Sequence, residues 1–247
     1  MPSDTARRDP RRAVRVSLRP LALLRRIETR ALLLLLGAAI GVWGFFEVGG
    51  EVAEGEADAF DRRILLSLRN VADPNDPIGP RTFEEAMRDV TALGGFTVLT
   101  IVTVVAAVAF LIHGRRRHAI VLVGAVLLAQ ASSEIAKAIY GRPRPDLVSH
   151  GSYVYSGSFP SGHSMLSAAT YLTLAMLIAS VEPTRGAKRL CFGLAVLVTL
   201  ATGFSRVYLG VHWPSDVLGG WCLGAAWSLA AWFVLLRLGS RPTHPRG

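Results

Sequence analysis

Apolar residues in this chain gather into long blocks separated by short polar punctuation. The first block is Ala31–Val48, followed by Leu93–Ile112, Ala119–Tyr140, His163–Ser180, Ala187–Phe204 and Pro214–Leu236. Each is close to or above 18 residues, the length a helix needs to cross a bilayer and more than one side of a soluble helix requires. The pattern predicts an all-α integral membrane protein, a bundle of six transmembrane helices. Between the first two blocks lies a polar, acidic stretch, residues 49–88. Within it Phe60, Ile64, Leu65 and Leu68 recur at helical spacing, which predicts an amphipathic surface helix over 59–70. ADPNDPIGP (72–80) reads as a turn. That helix and the 141–162 loop form a small extracytoplasmic cap.

Composition agrees. Of 247 residues, 51% are hydrophobic and 18% charged, where a soluble domain carries about a quarter charged residues. This excludes a disordered chain, a collagen-like repeat and a disulfide scaffold. Cys191 and Cys222 both fall inside apolar blocks and read as small buried hydrophobes. The net charge of +9 points to nucleic acid or a membrane surface. Because the basic residues sit in short clusters between apolar blocks, the membrane is the partner expected, and nucleic acid is not.

The same clusters predict orientation. Residues 1–30 hold nine arginines, and the 113–118 loop, the 181–189 loop and the segment after Leu236 hold three basic residues each. These 18 lie on one side; the other side has nine, spread over longer, acid-rich segments. The positive-inside rule then makes both termini cytoplasmic, and the Arg/Ala/Leu-rich composition suggests a bacterial inner membrane. Segments 49–92, 141–162 and 205–213 face the periplasm or cell exterior. No small-x-small cleavage site closely follows the first block, so it reads as an uncleaved anchor. The chain divides into an Arg-rich tail (1–30), a six-span domain (31–238) and a C-terminal tail (239–247). Gly37/Gly41 and Gly220/Gly224 are GxxxG pairs, a weak signal for close helix packing.

Three polar clusters fall at the outward ends of spans three to six. They are Lys137 through Arg144-Pro145, Pro160-Ser161-Gly162-His163, and Ser205-Arg206 through His212 to Asp216. Lys137, Arg144 and Arg206 are cations at the bilayer rim, where charge is expensive and usually functional. Together they suit a dianionic phosphoryl group. The amides of Ser161 and Gly162 lie at a helix N-terminus, an anion site, with His163 beside it. His212 and Asp216, four residues apart, can pair so that the carboxylate fixes the tautomer of a nucleophilic imidazole. Each cluster has a plainer reading: an interfacial anchor, a turn before a helix, a helix-end ion pair. Three on one face are hard to explain that way. Glu134 reads as a local partner of Lys137, and Arg142 as a supporting or headgroup contact. His150 is read as solvated. Tyr153, Tyr155 and Phe159 are candidates for a substrate entrance or an interfacial belt.

The three clusters match K-x6-R-P, P-S-G-H and S-R-x5-H-x3-D without a mismatch. The chain thereby resembles the type 2 phosphatidic acid phosphatase superfamily of membrane lipid phosphatases, firmly over residues 137–216. The segment from FDRRILLSLR to RDVTALGG is also similar to the region preceding the signature in bacterial members. The resemblance implies that His212 is a nucleophile forming a phosphohistidine, that Asp216 orients it, and that His163 protonates the leaving oxygen and then activates water. It implies that Lys137, Arg144, Ser161, Gly162 and Arg206 bind the phosphoryl oxygens, with no metal and no cofactor. The expected substrate is a lipid phosphate or pyrophosphate of the undecaprenyl pyrophosphate or phosphatidic acid type; diacylglycerol pyrophosphate and phosphatidylglycerol phosphate also fit. Two alternatives remain open at this stage. One is a lipid phosphotransferase using the same phosphohistidine. The other is a non-catalytic lipid-binding or transport protein.

Overall fold

The computed structural model describes residues 18–146 and 157–239. Helix α1 is Leu18–Glu54. Two short helices follow, α2 (Asp58–Ser67) and α3 (Arg81–Ala92), then α4 (Phe96–Ile112) and α5 (Arg116–Tyr140). α6 (Gly162–Val181), α7 (Arg185–Tyr208) and α8 (Pro214–Gly239) complete the described residues. α1 (from Glu28), α5, α6, α7 and α8 are each long and apolar enough to cross a membrane. The sixth crossing is α4, whose 17 residues span about 25 Å, the lower end of the crossing range. The chain is a multi-pass membrane protein, as the sequence predicts.

The helix boundaries differ in instructive places. The first span and the described basic residues before it form one continuous helix from Leu18 through Glu54, because the one proline, Pro20, falls in the first turn, where no backbone N–H is needed. The second span begins at Phe96 rather than Leu93: Gly94 and Gly95 stand at a 47° break between α3 and α4. Helix α3 was not anticipated. Phe83, Met87 and Val90 give it the same amphipathic spacing that revealed α2. The expected surface helix at 59–70 is α2, and residues 72–80 turn as expected, closed by an isolated bridge between Arg69 and Pro77. The cap therefore holds α2 and α3 together with the described parts of the 141–162 loop. His150, Tyr153 and Tyr155 lie outside the described residues.

α6 is the central helix and is largely buried. Many of its buried positions are small, among them Ser164, Ser167, Ala168, Ala169 and Thr170, interspersed with Met165 and Leu177. The helix widens into a π turn at Ala168–Leu172, and Ser228 Oγ from α8 donates to the carbonyls of Ala168 (3.1 Å) and Ala169 (3.3 Å), satisfying groups that a buried π turn loosens. α8 packs against both α1 and α6. Both GxxxG pairs serve those contacts. A Cβ on Gly41 would stand 2.8 Å from the Cys222 carbonyl, and one on Gly220 would stand 2.8 Å from the Ser161 carbonyl. Small residues thus let the backbones approach where lipid supplies no hydrophobic drive. Cys191 and Cys222 are free, but half-buried rather than buried, because both sit on helix flanks.

α5 ends at Gly141, which takes the left-handed conformation (φ +54°), and Pro143 and Pro145 prevent the helix from resuming. Phe159 is fully buried, stacked on Phe45 with 5.4 Å between centroids and edge-on to Tyr140 at 4.8 Å. It anchors the loop entering α6 and lines no entrance, because its ring points into the α1–α5 contact.

Candidate active site

The C-terminal ends of α5 and α7 and the N-terminal ends of α6 and α8 meet at one end of the bundle. The Ser161 amide donates to the Asp216 carbonyl at 2.9 Å, tying the second cluster to the third. Lys137 Nζ lies 3.3 Å from where a Cβ on Gly162 would stand, so the first cluster abuts the second. Arg206, His212, Lys137 and Arg144 are all close enough to act electrostatically on His163. Every sequence-predicted site residue is therefore in this one region.

His212 occupies the turn between α7 and α8 and is 2% exposed. Its Nδ1 is 3.2 Å from Asp216 Oδ2. Arg144 Nη1 approaches His212 Nε2 at 3.1 Å and donates to the Val211 carbonyl at 2.9 Å. A guanidinium has only donors, so Nε2 must accept and Nδ1 must carry the proton that Asp216 receives. The lone pair on Nε2 then points toward a cation, where an anionic electrophile would sit. Burial pushes His212 down to about 4, aided by the charges of Arg206 and Arg144 and opposed by the hydrogen bond and charge of Asp216. The imidazole is neutral at neutral pH.

Asp216 is fully buried and fully used. Oδ2 accepts from His212, from the Trp213 amide at 2.9 Å and from the Ser158 hydroxyl. Oδ1 accepts from Arg142 Nη1 at 2.9 Å. Pro214 opens α8, so the carboxylate turns back across the first helical turn to the imidazole.

The cations are held differently. Lys137 Nζ pairs with Glu134 at 3.1 Å, the local ion pair expected for Glu134. Arg206 Nη1 donates to Thr91 Oγ1 of α3 at 3.0 Å, while its Nε is buried without a hydrogen-bond partner among the described residues. Burial lowers Arg144 and the Asp216 carboxylate partly restores it. Buried guanidinium N–H groups of this kind favour an anion. Ser161 caps α6 by accepting from the Ser164 amide at 3.5 Å, leaving the first amides of that helix for an incoming anion.

Four contributors are not evident from the sequence motifs alone: Ser158, Thr91, Asp61 and Ser215. Asp61 of α2 accepts from the Ser215 amide at 2.8 Å and from Arg142 Nη2 at 2.8 Å. Ser158 lies two residues before the second cluster and Ser215 at an unspecified position inside the third, a signal of position only. Thr91 and Asp61 lie in the segment similar to the region preceding the signature, but nothing there singles them out, since their partners are 115 and 154 residues away. Arg142, read as a supporting contact, is buried beneath the dyad and not on the surface as a headgroup contact would be.

A bundle of six crossing helices that gathers cations, a helix N-terminus and a His–Asp pair at one end defines a membrane enzyme acting on phosphorylated substrates. The PAP2 superfamily model matches residues 118–239. Phosphatidylglycerophosphatase B of Bacillus subtilis (strain 168) is 31% identical over 144 residues, 57% of this chain and 69% of its own length. Undecaprenyl-diphosphatase of Sulfolobus acidocaldarius is 27% identical over 146 residues, 57% of this chain and 64% of its own. A crystal structure of a transmembrane PAP2 type phosphatidylglycerolphosphate phosphatase from Bacillus subtilis superimposes with a TM-score of 0.70 at 25% identity, over 82% of this chain and 94% of that one. The chain belongs to the PAP2 superfamily and is a phosphatase. That removes the non-catalytic alternative.

Proposed function

We propose that this enzyme hydrolyses a lipid phosphate or pyrophosphate at the extracytoplasmic membrane surface through a phosphohistidine on His212. The relatives' names, a phosphatidylglycerophosphatase and an undecaprenyl-diphosphatase, share a membrane-anchored phosphoryl group and differ in headgroup. The observation that carries the mechanism is the arrangement Asp216–His212–Arg144, with the proton on Nδ1 and the lone pair on Nε2. In the first step Nε2 attacks phosphorus, the bond from phosphorus to the leaving oxygen breaks, and His163 gives that oxygen its proton. The imidazolium that results stands opposite Asp216. Arg144, Arg206, Lys137 and the Ser161–Gly162 turn neutralise the equatorial oxygens. A dianionic substrate supplies the negative charge that lets His163 hold a proton among three cations. In the second step His163 takes a proton from water, the hydroxyl attacks phosphorus, the N–P bond breaks and inorganic phosphate leaves.

The outward orientation rests on the charge balance of the loops. Phosphate release by the purified enzyme tests the reaction, with phosphatidic acid, phosphatidylglycerol phosphate and undecaprenyl pyrophosphate compared. Wild type should release phosphate from at least one, and His212→Ala from none. Release undiminished by His212→Ala refutes the mechanism.

A further inference from the structure

Arg142 takes no part in the phosphoryl chemistry above, yet it lies beneath it. It is 8% exposed. Nη1 donates to Asp216 Oδ1 at 2.9 Å and Ser215 Oγ at 2.7 Å; Nη2 donates to Asp61 Oδ2 at 2.8 Å and, more distantly, to Asp58 Oδ1 at 3.4 Å. One guanidinium thus spans two buried carboxylates, each of them fully enclosed, that would otherwise repel. Asp61 is itself fixed by the amide and hydroxyl of Ser215, one residue before Asp216. The guanidinium also lies over the Trp213 ring, 5.6 Å from its centroid. The planar fork of arginine suits this bridging, and a lysine ammonium does not reproduce it.

We propose that Asp61 and Arg142 form a positioning clamp, through which cap helix α2 holds Asp216 aimed at His212. The clamp deepens the phosphohistidine reading and rests on it. Asp216 uses one oxygen for the catalytic imidazole and the other for Arg142, so the two contacts together fix its rotamer. The charged groups facing Asp216 are Arg142 and Arg144 from the segment after α5, with Asp61 and, more distantly, Asp58 of α2 acting through the shared guanidinium; the titratable neighbour is the neutral His212 of the turn. Removing Arg142 takes away the donor that holds Asp216 Oδ1 and the cation that bridges it to Asp61, and leaves the Asp216 side chain less firmly aimed at His212. Burial works against the Arg142 charge, but Asp216 and Asp61 outweigh it and hold the group above the ordinary guanidinium value.

A buried ion network that merely fastens α2 to the bundle would stabilise the fold without touching the chemistry. The test separates these roles. Arg142→Met, Arg142→Lys and Asp61→Asn are purified in detergent, and kcat, KM and the pH profile are measured with phosphatidic acid per folded molecule. We expect kcat to fall by about 10²-fold or more in Arg142→Met and about tenfold in Asp61→Asn, with KM within about threefold. The acid limb of kcat/KM should rise by about one pH unit in Arg142→Met, where Asp216 loses a facing cation, and should not rise in Asp61→Asn, which keeps Arg142. Arg142→Lys should recover about tenfold of the loss because it keeps the charge without the fork. A folded Arg142→Met with wild-type kcat and acid limb overturns the clamp. If Arg142→Met does not fold, Asp61→Asn decides: a wild-type kcat there overturns it equally. Covalent labelling keeps this distinct from the reading beneath it. Labelled wild type with unaffected clamp variants refutes the clamp alone, whereas wild type that turns over without labelling His212 refutes the phosphohistidine.

Discussion

Replacing Asp216 with asparagine removes one charge and no atoms, and the surroundings give the amide no good orientation. With its nitrogen in the place of Oδ2, the amide faces the Trp213 N–H at 2.9 Å and His212 Nδ1 at 3.2 Å, both of which donate in the native protein. With its nitrogen in the place of Oδ1, it faces Arg142 Nη1 at 2.9 Å. The first orientation can be relieved only if His212 moves its proton from Nδ1 to Nε2, which destroys the nucleophilic lone pair. The second keeps the tautomer but breaks a charge-assisted bond worth about 1.5–3 kcal/mol. Either way the imidazolium formed on attack meets a neutral amide. Together these effects raise the barrier by about 4–5 kcal/mol, or a 10³–10⁴-fold drop in kcat. The assay is phosphate release under saturating phosphatidic acid, with size-exclusion and thermal unfolding as checks on folding. A folded Asp216→Asn enzyme within tenfold of wild-type kcat refutes the reasoning.

Other consequences follow from the same geometry. His212 is buried neutral, with a folded value near 4 against an ordinary 6.5. The unfolded chain binds the extra proton first, so wild type should lose stability as pH falls from about 6.5 to about 4, and His212→Gln should lose less; melting temperatures in detergent across that range measure this. For the same reason the acid limb of kcat/KM, corrected for titration of the substrate, should lie near 4, and a limb at 6.5 would contradict the burial argument. Thr91→Val removes the acceptor for Arg206 Nη1 and should raise KM about threefold to tenfold, read from saturation kinetics. A Cβ on Gly94 would stand 3.2 Å from His163 Cβ and closer still to the Thr202 methyl. Gly94→Val should therefore lower kcat at least tenfold by displacing His163, or lower the melting temperature if the α3–α4 break moves instead.

Much of this arrangement was legible in the sequence because its signals are local. Apolar block length reveals the crossing helices, and the spacing from His212 to Asp216 fits a helical turn opened by Pro214. The three signature clusters, placed at alternate helix ends by the order of the spans, had to share one end of the bundle. The Glu134–Lys137 pair is likewise an i,i+3 neighbour relation. What stayed hidden depends on distant packing or on side-chain direction. Nothing local says that Arg142 turns inward beneath Asp216, or that Asp61 of α2 meets Ser215 across the fold. Phe159 looked like an entrance residue because an aromatic next to a loop suits either role; only its stack against Phe45 of α1 decides. Helix α3 was overlooked because acidic and basic residues mask its three apolar positions.

The phosphohistidine is the central claim, and trapping it tests that claim most directly. Wild-type enzyme is mixed with ³²P-labelled phosphatidic acid, quenched in alkali within milliseconds, digested and mapped by mass spectrometry. The expected result is an alkali-stable, acid-labile label on His212, absent from His212→Ala and increased in His163→Ala when a substrate with a good leaving group carries it through the first step. Turnover without label on His212, or label on another residue, would contradict the account.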